Sequence, residues 1–286
     1  MTEDGAHESP PFSCNRKAII GLACSGGGSR AAYLTAAVLK EIRRANVGLT
    51  MQGNLAGSGN LLEEISLISS VSGGSVAAAY YALNKEDLGA DSEQRAWKTY
   101  LAKMALNHRQ WWRFVYNPLI WAQFLLTNYN RGHWARGYYD RVLFCRKSLH
   151  ELPNYPALYI NAVDVMTEER FVFSKNTIHL SIQEDSPSLT HDLASSWVDP
   201  RSVRISDAVY ASSAFPFVYP NLPLYNYAFN PPSIRFLADG GIFDNSGLLT
   251  LMVEMERAFS LSHNRCFILA ICIDAENQWK ENRLEV

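Results

Sequence analysis

Twice in this chain, a nearly continuous apolar run leads into a turn of glycine and serine and then into a helix-forming segment. The first example is residues 17–24 (KAIIGLAC) followed by 30–44, and the second is residues 65–71 (ISLISSV) followed by 75–83. Continuous apolar runs are typical of strands buried on both faces of a parallel sheet. Parallel strands need long crossovers, which are usually helices. The pattern therefore predicts an α/β fold with a mostly parallel central sheet.

The second half of the chain returns to similar segments after an interruption. Short helices are predicted at residues 206–213 and 248–259, and strands at 157–165, 170–174, 234–238 and 266–273. The first two of these strands have the spacing of a β-hairpin. The last is so apolar that we expect it to be buried.

The length of 286 residues and a hydrophobic content of 48% allow one large domain with an insertion. Residues 1–16 are predicted to be a flexible leader, and 17–286 the domain. Residues 92–146 form the insertion, which combines many aromatic residues with Lys and Arg. A lid that touches lipid is one interpretation of it, but we favour helices packed on the sheet. Five of the seven tryptophans lie there: Trp97, Trp111, Trp112, Trp121 and Trp134.

Composition excludes several classes of protein. The 26 basic and 28 acidic residues leave no positive excess for binding nucleic acid. The five cysteines form no Cys-x-x-Cys pair, so we expect buried, reduced thiols. The chain begins without the basic and apolar blocks of a signal peptide and contains no run of 18 apolar residues. A cytoplasmic or peripheral membrane location is therefore expected.

Ser72 is the candidate nucleophile. It lies in a run of small residues between a predicted strand and a predicted helix, and such a turn exposes a serine at a sheet edge. Gly74 supplies the small residue two positions later, whereas Ser70 stands two positions earlier where glycine is usual. The alternative is that Ser72 or Ser75 is simply a helix N-cap.

The glycine run after the first strand is a candidate oxyanion hole. Gly26, Gly27 and Gly28 lack side chains, so their backbone N–H groups can face a substrate oxygen closely. The rival is a nucleotide phosphate loop, but the Gly-Lys-Ser/Thr ending is absent and Ala31 stands where the dinucleotide motif has glycine.

Asp239, at the end of a predicted strand and before two glycines, is the candidate base. The alternative is an ordinary turn aspartate. A Ser72–Asp239–His263 triad also has a permitted chain order, although His263 lies in a polar segment. The histidines form no spaced pair of ligands, so we expect no metal and no cofactor.

Four motifs together resemble the patatin-like phospholipase family over about residues 17 to 250. They are Ser25–Arg30, Ser72 within Ser-x-Ser-x-Gly, Ala211–Pro216 and Asp239–Asn245. The resemblance implies a three-layer α/β/α fold and a catalytic dyad of Ser72 and Asp239, with Gly26 to Gly28 as the oxyanion hole. The run SGGGSRAA is also similar to cytosolic phospholipases with this dyad, which implies that Arg30 meets a substrate phosphate.

The resemblance implies a lipid acyl hydrolase of the phospholipase A or lysophospholipase type that works through an acyl-enzyme. Its substrate would be a phospholipid or another acyl lipid, and a peripheral membrane surface is a conceivable partner. Two alternatives remain at this stage. One is an esterase with the His263 triad, and the other is a lipid-binding or scaffold protein without activity.

Overall fold

The computed structural model describes residues 18–44, 46–47, 50–51, 54–55, 59–90, 94–105, 130–180, 196–261 and 267–275. The expected leader at residues 1–16 lies outside these ranges, as do His263 and the middle of the insertion with three of its tryptophans. Within the described ranges, no helix is both long enough and apolar enough to cross a bilayer.

The strands, in chain order, are β1 (Ala18–Cys24), β2 (Asn46–Val47), β3 (Thr50–Met51), β4 (Asn54–Leu55), β5 (Gly59–Asn60), β6 (Ile65–Val71), β7 (Ala157–Asp164), β8 (Glu169–Phe173), β9 (Ile178–Leu180), β10 (Leu222–Asn226), β11 (Ser233–Asp239) and β12 (Phe267–Ile273). Eight of them form one mixed sheet along the path β10-β11-β7-β6-β1-β12, with β8 and β9 attached to β7. The short strands β2 and β5 form a separate pair, as do β3 and β4.

The helices are α1 (Gly28–Ile42), α2 (Leu61–Glu64), α3 (Ser72–Leu83), α4 (Lys85–Ala90), α5 (Arg95–Ala105), α6 (Arg131–Tyr138), α7 (Ile205–Ser212) and α8 (Leu248–Leu261). A π-helical turn at Tyr139–Leu143 follows α6, and 3₁₀ turns lie at Leu149–Glu151 and Gly240–Ile242. The predicted α/β order is therefore present.

Helices cover both faces of the sheet, which makes the three-layer α/β/α architecture. On one face α1, α3, α5 and α7 pack into a large core that contains Ile20, Leu22 and Ile68. On the other face α8 packs on β1 and β6 around Leu67, Leu251 and other apolar residues. Each fully buried aliphatic side chain contributes about 1.5–3 kcal/mol to folding.

The strands predicted from long apolar runs are present in the structure. β1 and β6 pair in parallel, and β6 is buried at all seven positions. β7 and β8 form the expected antiparallel hairpin. In the insertion, Trp97 is buried and its indole N–H donates to the Leu88 carbonyl at 2.9 Å. Trp134 is partly buried against the same core. The preference for core packing over lipid contact is confirmed for these two tryptophans.

The expectation that the last strand is buried was wrong. β12 lies at the end of the sheet path and pairs with β1 alone among the described strands. With one neighbouring strand, it leaves Ile268 about half exposed (48%). Cys24 is buried as expected, but Cys272 of this strand and Cys145 are exposed, which corrects the prediction of buried thiols at those two positions. An apolar run does not distinguish a central strand from an edge strand, because it carries no pairing information.

Candidate active site

The strands that lead to Ser72 and Asp239 meet on one edge of β7. Val71 at the end of β6 pairs with Asn161, and Asp239 at the end of β11 pairs with Ala162, the next residue of β7. β8 occupies the opposite edge of β7 over the same residues, so β6 and β11 must share an edge. Because β6 runs parallel to β7 and β11 antiparallel, the two strands run toward each other and end side by side.

Ser72 sits on a sharp turn between β6 and α3. Val71 is still extended (φ −134°), whereas Ser72 has a left-handed φ of 50°, which is unfavourable for a residue with a side chain. The sequence predicted that the helix begins at Ser75, but it begins at Ser72 itself. Ser72 therefore stands at the N-terminus of a helix, where unpaired N–H groups favour negative charge.

The turn requires glycine after Ser72 because the first glycine loop lies directly against it. A Cβ at Gly73 would overlap the carbonyl oxygen of Gly28. A Cβ at Gly74 would lie 2.6 Å from the carbonyl oxygens of Cys24 and Ser25. The close approach of the two loops is possible only without side chains at these positions.

A second serine holds the backbone of the turn. The Ser72 N–H donates to Ser212 Oγ at 2.9 Å, and Ser212 Oγ lies 2.9 Å from Ser75 Oγ. Ser75 and Ser212 are both fully buried. Ser212 belongs to the Ala211–Pro216 motif, but nothing in the sequence indicates its partner. The structure shows that it contacts the candidate nucleophile through the main chain, a contact that links residues 140 positions apart.

Asp239 is buried next to Ser72. Its Oδ1 accepts a hydrogen bond from the Gly241 N–H at 2.8 Å, and the Ser72 side chain lies near enough to the carboxylate to lower its pKa. The backbone N–H of Asp239 donates to the Ala214 carbonyl at 3.1 Å. Burial raises the pKa of Asp239 above its ordinary value, and the hydrogen bond from Gly241 and the nearby Ser72 side chain oppose that rise. The pair thus places a hydroxyl beside a desolvated carboxylate.

The glycine loop lies over Ser72, but its three amides differ. The Gly26 N–H donates to the Asn245 carbonyl at 2.8 Å, so it is already engaged within the protein. Gly27 and Gly28 are exposed, have positive φ values of 132° and 63°, and begin α1. Helix N-termini leave their first N–H groups without intrahelical partners. Of the three amides predicted for an oxyanion, those of Gly27 and Gly28 are the better placed.

Asn245 also lies between the glycine loop and the turn that follows Asp239. Its side-chain oxygen is close enough to collide with a Cβ built at Gly26, and it would lie 2.9 Å from a Cβ at Gly241. The glycine loop and the Asp239 turn are therefore separated by a single amide side chain. This contact was not predicted from the sequence, although Asn245 closes the quoted Asp-Gly-Gly motif.

Arg30 is exposed in the first turn of α1. One of its terminal nitrogens would lie 3.9 Å from a Cβ at Gly27, so the guanidinium folds back beside the glycine loop. A cation at that place could pair with a phosphate group near the loop.

A buried amide fixes the junction of the strands. Asn161 Nδ2 donates to the Ser70 carbonyl and to Ser69 Oγ, both at 2.9 Å, and Asn161 Oδ1 accepts from Thr250 Oγ1. Ser69 Oγ in turn donates to the Gly247 carbonyl at 2.6 Å. This network ties the end of β6 to β7 and α8, directly beneath Ser72. Buried polar networks that are fully paired make a structure rigid.

No group of three or more His, Cys, Asp or Glu side chains that could hold a metal ion occurs in the described ranges. A family model for patatin-like phospholipases matches residues 22–252. The chain belongs to the patatin-like phospholipase family. Ser72, Asp239, Asn245 and the glycine loop all lie within the matched segment.

Among solved structures, the chain is similar to a human GIVD cytosolic phospholipase A2 in complex with a methyl gamma-linolenyl fluorophosphonate inhibitor and terbium chloride. The identity is 12% and the TM-score 0.33, and the match covers 57% of this chain but 24% of that one. No curated protein matches the sequence.

Proposed function

We propose that the chain is a lipid acyl hydrolase of the phospholipase A or lysophospholipase type, with Ser72 as nucleophile and Asp239 as general base. The observation that supports this most is the meeting of β6 and β11 on β7, which places the Ser72 side chain by the buried Asp239 carboxylate and beside the exposed Gly27 and Gly28. An activated nucleophile needs a base within hydrogen-bond reach and donors aimed at the developing oxyanion.

In the first half of the proposed reaction, Ser72 Oγ attacks the ester carbonyl carbon as its proton passes to Asp239. The carbonyl oxygen becomes an oxyanion that accepts hydrogen bonds from Gly27 and Gly28, each of which supplies a rate factor of roughly a hundred to a thousand. The intermediate collapses when the ester C–O bond breaks. The leaving alcohol takes the proton from Asp239, and the acyl group stays on Ser72.

In the second half, water attacks the acyl-Ser72 carbonyl and gives its proton to Asp239. Collapse of this intermediate breaks the bond to Ser72 Oγ, which recovers the proton, and the fatty acid leaves. Arg30 pairs with a phosphate of the substrate beside the glycine loop. His263 lies outside the described residues, and within them no observation favours the histidine triad or an inactive scaffold over this reaction.

Labelling with a fluorophosphonate lipid probe tests the proposal. The expected result is one covalent adduct per chain, located by peptide mass at Ser72 and absent from the Ser72→Ala variant. An enzyme with an activated serine reacts with such a probe, whereas a lipid-binding scaffold does not. Labelling at another serine, or none in the presence of lipid, contradicts the proposal.

The pH dependence of turnover follows from the buried base. Asp239 must be ionised to accept the Ser72 proton, and its raised pKa means that it takes up a proton at a higher pH than an ordinary aspartate. We therefore expect kcat/KM to fall as pH falls through that raised pKa, above the normal aspartate range of about 4. A pH–rate profile on a soluble ester measures this limb. An acidic limb at or below the ordinary aspartate value would contradict it.

A further inference from the structure

The segment that follows α7 exposes large apolar side chains beside the catalytic pair. Residues 215–218 (Phe-Pro-Phe-Val), here called the aromatic loop, come directly after Ala214, whose carbonyl accepts the Asp239 N–H. The Phe217 side chain is 96% exposed, and Phe215 is 56% exposed. In water the Phe217 ring contributes almost nothing to folding, because it remains in the solvent.

The backbone of the aromatic loop makes this exposure more unusual. Phe217 has a left-handed φ of 70°, a conformation that is rare for bulky residues and costs of order 1–3 kcal/mol. The loop is held in place by hydrogen bonds from the Val218 and Tyr219 N–H groups to the Phe215 carbonyl. A strained backbone that holds an aromatic ring in the solvent indicates that the ring contacts a partner outside the chain.

A second exposed apolar segment follows Asp239 directly in the chain. The 3₁₀ turn that follows Asp239 carries Ile242, and Phe243 comes next; both side chains are about half exposed. Since α7 contacts this turn, the two segments lie close together around Asp239. Exposed apolar side chains of both segments therefore lie near Asp239.

Cations accompany these side chains. Arg131 is exposed and donates from Nη2 to the Phe217 carbonyl at 3.4 Å. Arg30 is exposed beside the glycine loop. A protein surface that lies on a lipid bilayer typically combines two kinds of side chain. Its aromatic rings reach the acyl region, and its arginines pair with the lipid head groups. A protein partner would be expected to cover the rings with a groove, without the need for cations at the rim.

We propose that the aromatic loop, together with Ile242 and Phe243, docks the protein on the surface of a phospholipid bilayer that contains anionic lipid. The inference rests on the proposed function, because it identifies where an acyl-lipid substrate enters. Ser72 and Asp239 are buried, so a lipid must leave the bilayer to reach them. When this surface lies on the bilayer, the acyl chain can move from the membrane interior to the apolar side chains around the site without crossing water.

The test is co-sedimentation of the full chain with vesicles of ether-linked phosphatidylcholine and phosphatidylglycerol. Ether lipids have no ester to cleave, so binding is measured independently of catalysis. The variant is Phe217→Asn, since asparagine tolerates a left-handed φ and the ring is fully solvated, which keeps the fold intact. The expected result is a loss of vesicle affinity on the order of tenfold.

Phe229→Asn is the matched control. Phe229 is another exposed phenylalanine, with 56% of its surface in the solvent. It precedes β11, whose seven residues separate it from Asp239 by roughly 20 Å. We expect this variant to bind vesicles like the wild type. Equal loss in both variants, or no loss in Phe217→Asn, would overturn the docking surface. A third outcome would also overturn it: the wild-type chain does not bind vesicles but forms dimers, and the Phe217→Asn substitution dissociates those dimers.

The same experiment separates the two proposals. If wild-type chain binds ether-lipid vesicles through Phe217 but fails to hydrolyse any ester, the docking surface stands and the proposed function is wrong. If wild-type chain cleaves a soluble ester through Ser72 while Phe217→Asn binds vesicles normally, the proposed function stands and the docking surface is wrong.

Discussion

The Asp239→Asn variant should lose roughly four orders of magnitude in kcat while it keeps its fold. The asparagine oxygen can still accept the hydrogen bond that Oδ1 receives from the Gly241 N–H at 2.8 Å. It cannot take the proton of Ser72, because an amide is not a base at neutral pH. The measurement is kcat on phosphatidylcholine and on a soluble ester, with thermal unfolding as the check on structure.

His263→Ala is the control for that variant. In a Ser–Asp dyad histidine has no part, so this variant should turn over substrate at close to the wild-type rate. The histidine triad makes the opposite prediction, a loss as large as that of Asp239→Asn. Full activity in Asp239→Asn would show that the carboxylate is not the base, whatever the result at His263.

Gly73→Ala should have the second largest effect. The added Cβ would overlap the Gly28 carbonyl oxygen and lie 2.7 Å from the Gly28 carbonyl carbon, so the glycine loop and the Ser72 turn must move apart. Overpacking of this kind costs about 1–3 kcal/mol of stability. Displacement of one oxyanion donor costs roughly a hundredfold or more in kcat. We therefore expect both a lower unfolding temperature and a fall in kcat of that order.

Gly89→Ala is the matched control for Gly73→Ala. Gly89 is an exposed glycine of α4, and a Cβ there would meet no atom within 4 Å. In a helix, alanine is more favourable than glycine by about 0.5–1 kcal/mol. This variant should be slightly more stable and fully active. If Gly73→Ala is also stable and fully active, neither stability nor kcat depends on the close approach of the glycine loop to the Ser72 turn.

Segments with local signals were predictable from the sequence. The apolar run of β6, the small residues after Ser72 and the helix that follows are all set by neighbours in the chain. The predicted strand at residues 65–71 therefore coincides with the observed one. β10 was missed because Pro223 lies within it; proline is tolerated on an edge strand but argues against a strand in the sequence.

The contacts that complete the site were not predictable in this way. Ser212, Asn161 and Asn245 hold the segments around Ser72 and Asp239 through hydrogen bonds or packing between distant parts of the chain. Serine and asparagine are common polar residues, and nothing in their local sequence states which partner they reach. The same holds for the Gly26 amide, because it donates a hydrogen bond to the Asn245 carbonyl in a turn more than 200 residues away.

The adjacency of Ser72 and Asp239 depends on the register of β6 and β11 along β7, which the sequence does not encode locally. Two strands that end at neighbouring positions of a third bring the hydroxyl and carboxylate together. A shift of either strand by two residues would move its end by about 7 Å, beyond the reach of a hydrogen bond. The Asn161 network, which ties the end of β6 to β7, opposes such a shift.

The most direct measurement is the hydrolysis of phosphatidylcholine by wild-type chain and by Ser72→Ala, with the products identified by mass. The account predicts free fatty acid and lysophospholipid from the wild type, and from Ser72→Ala no fatty acid above the uncatalysed level. Fatty acid release by Ser72→Ala at a rate near that of the wild type would contradict it.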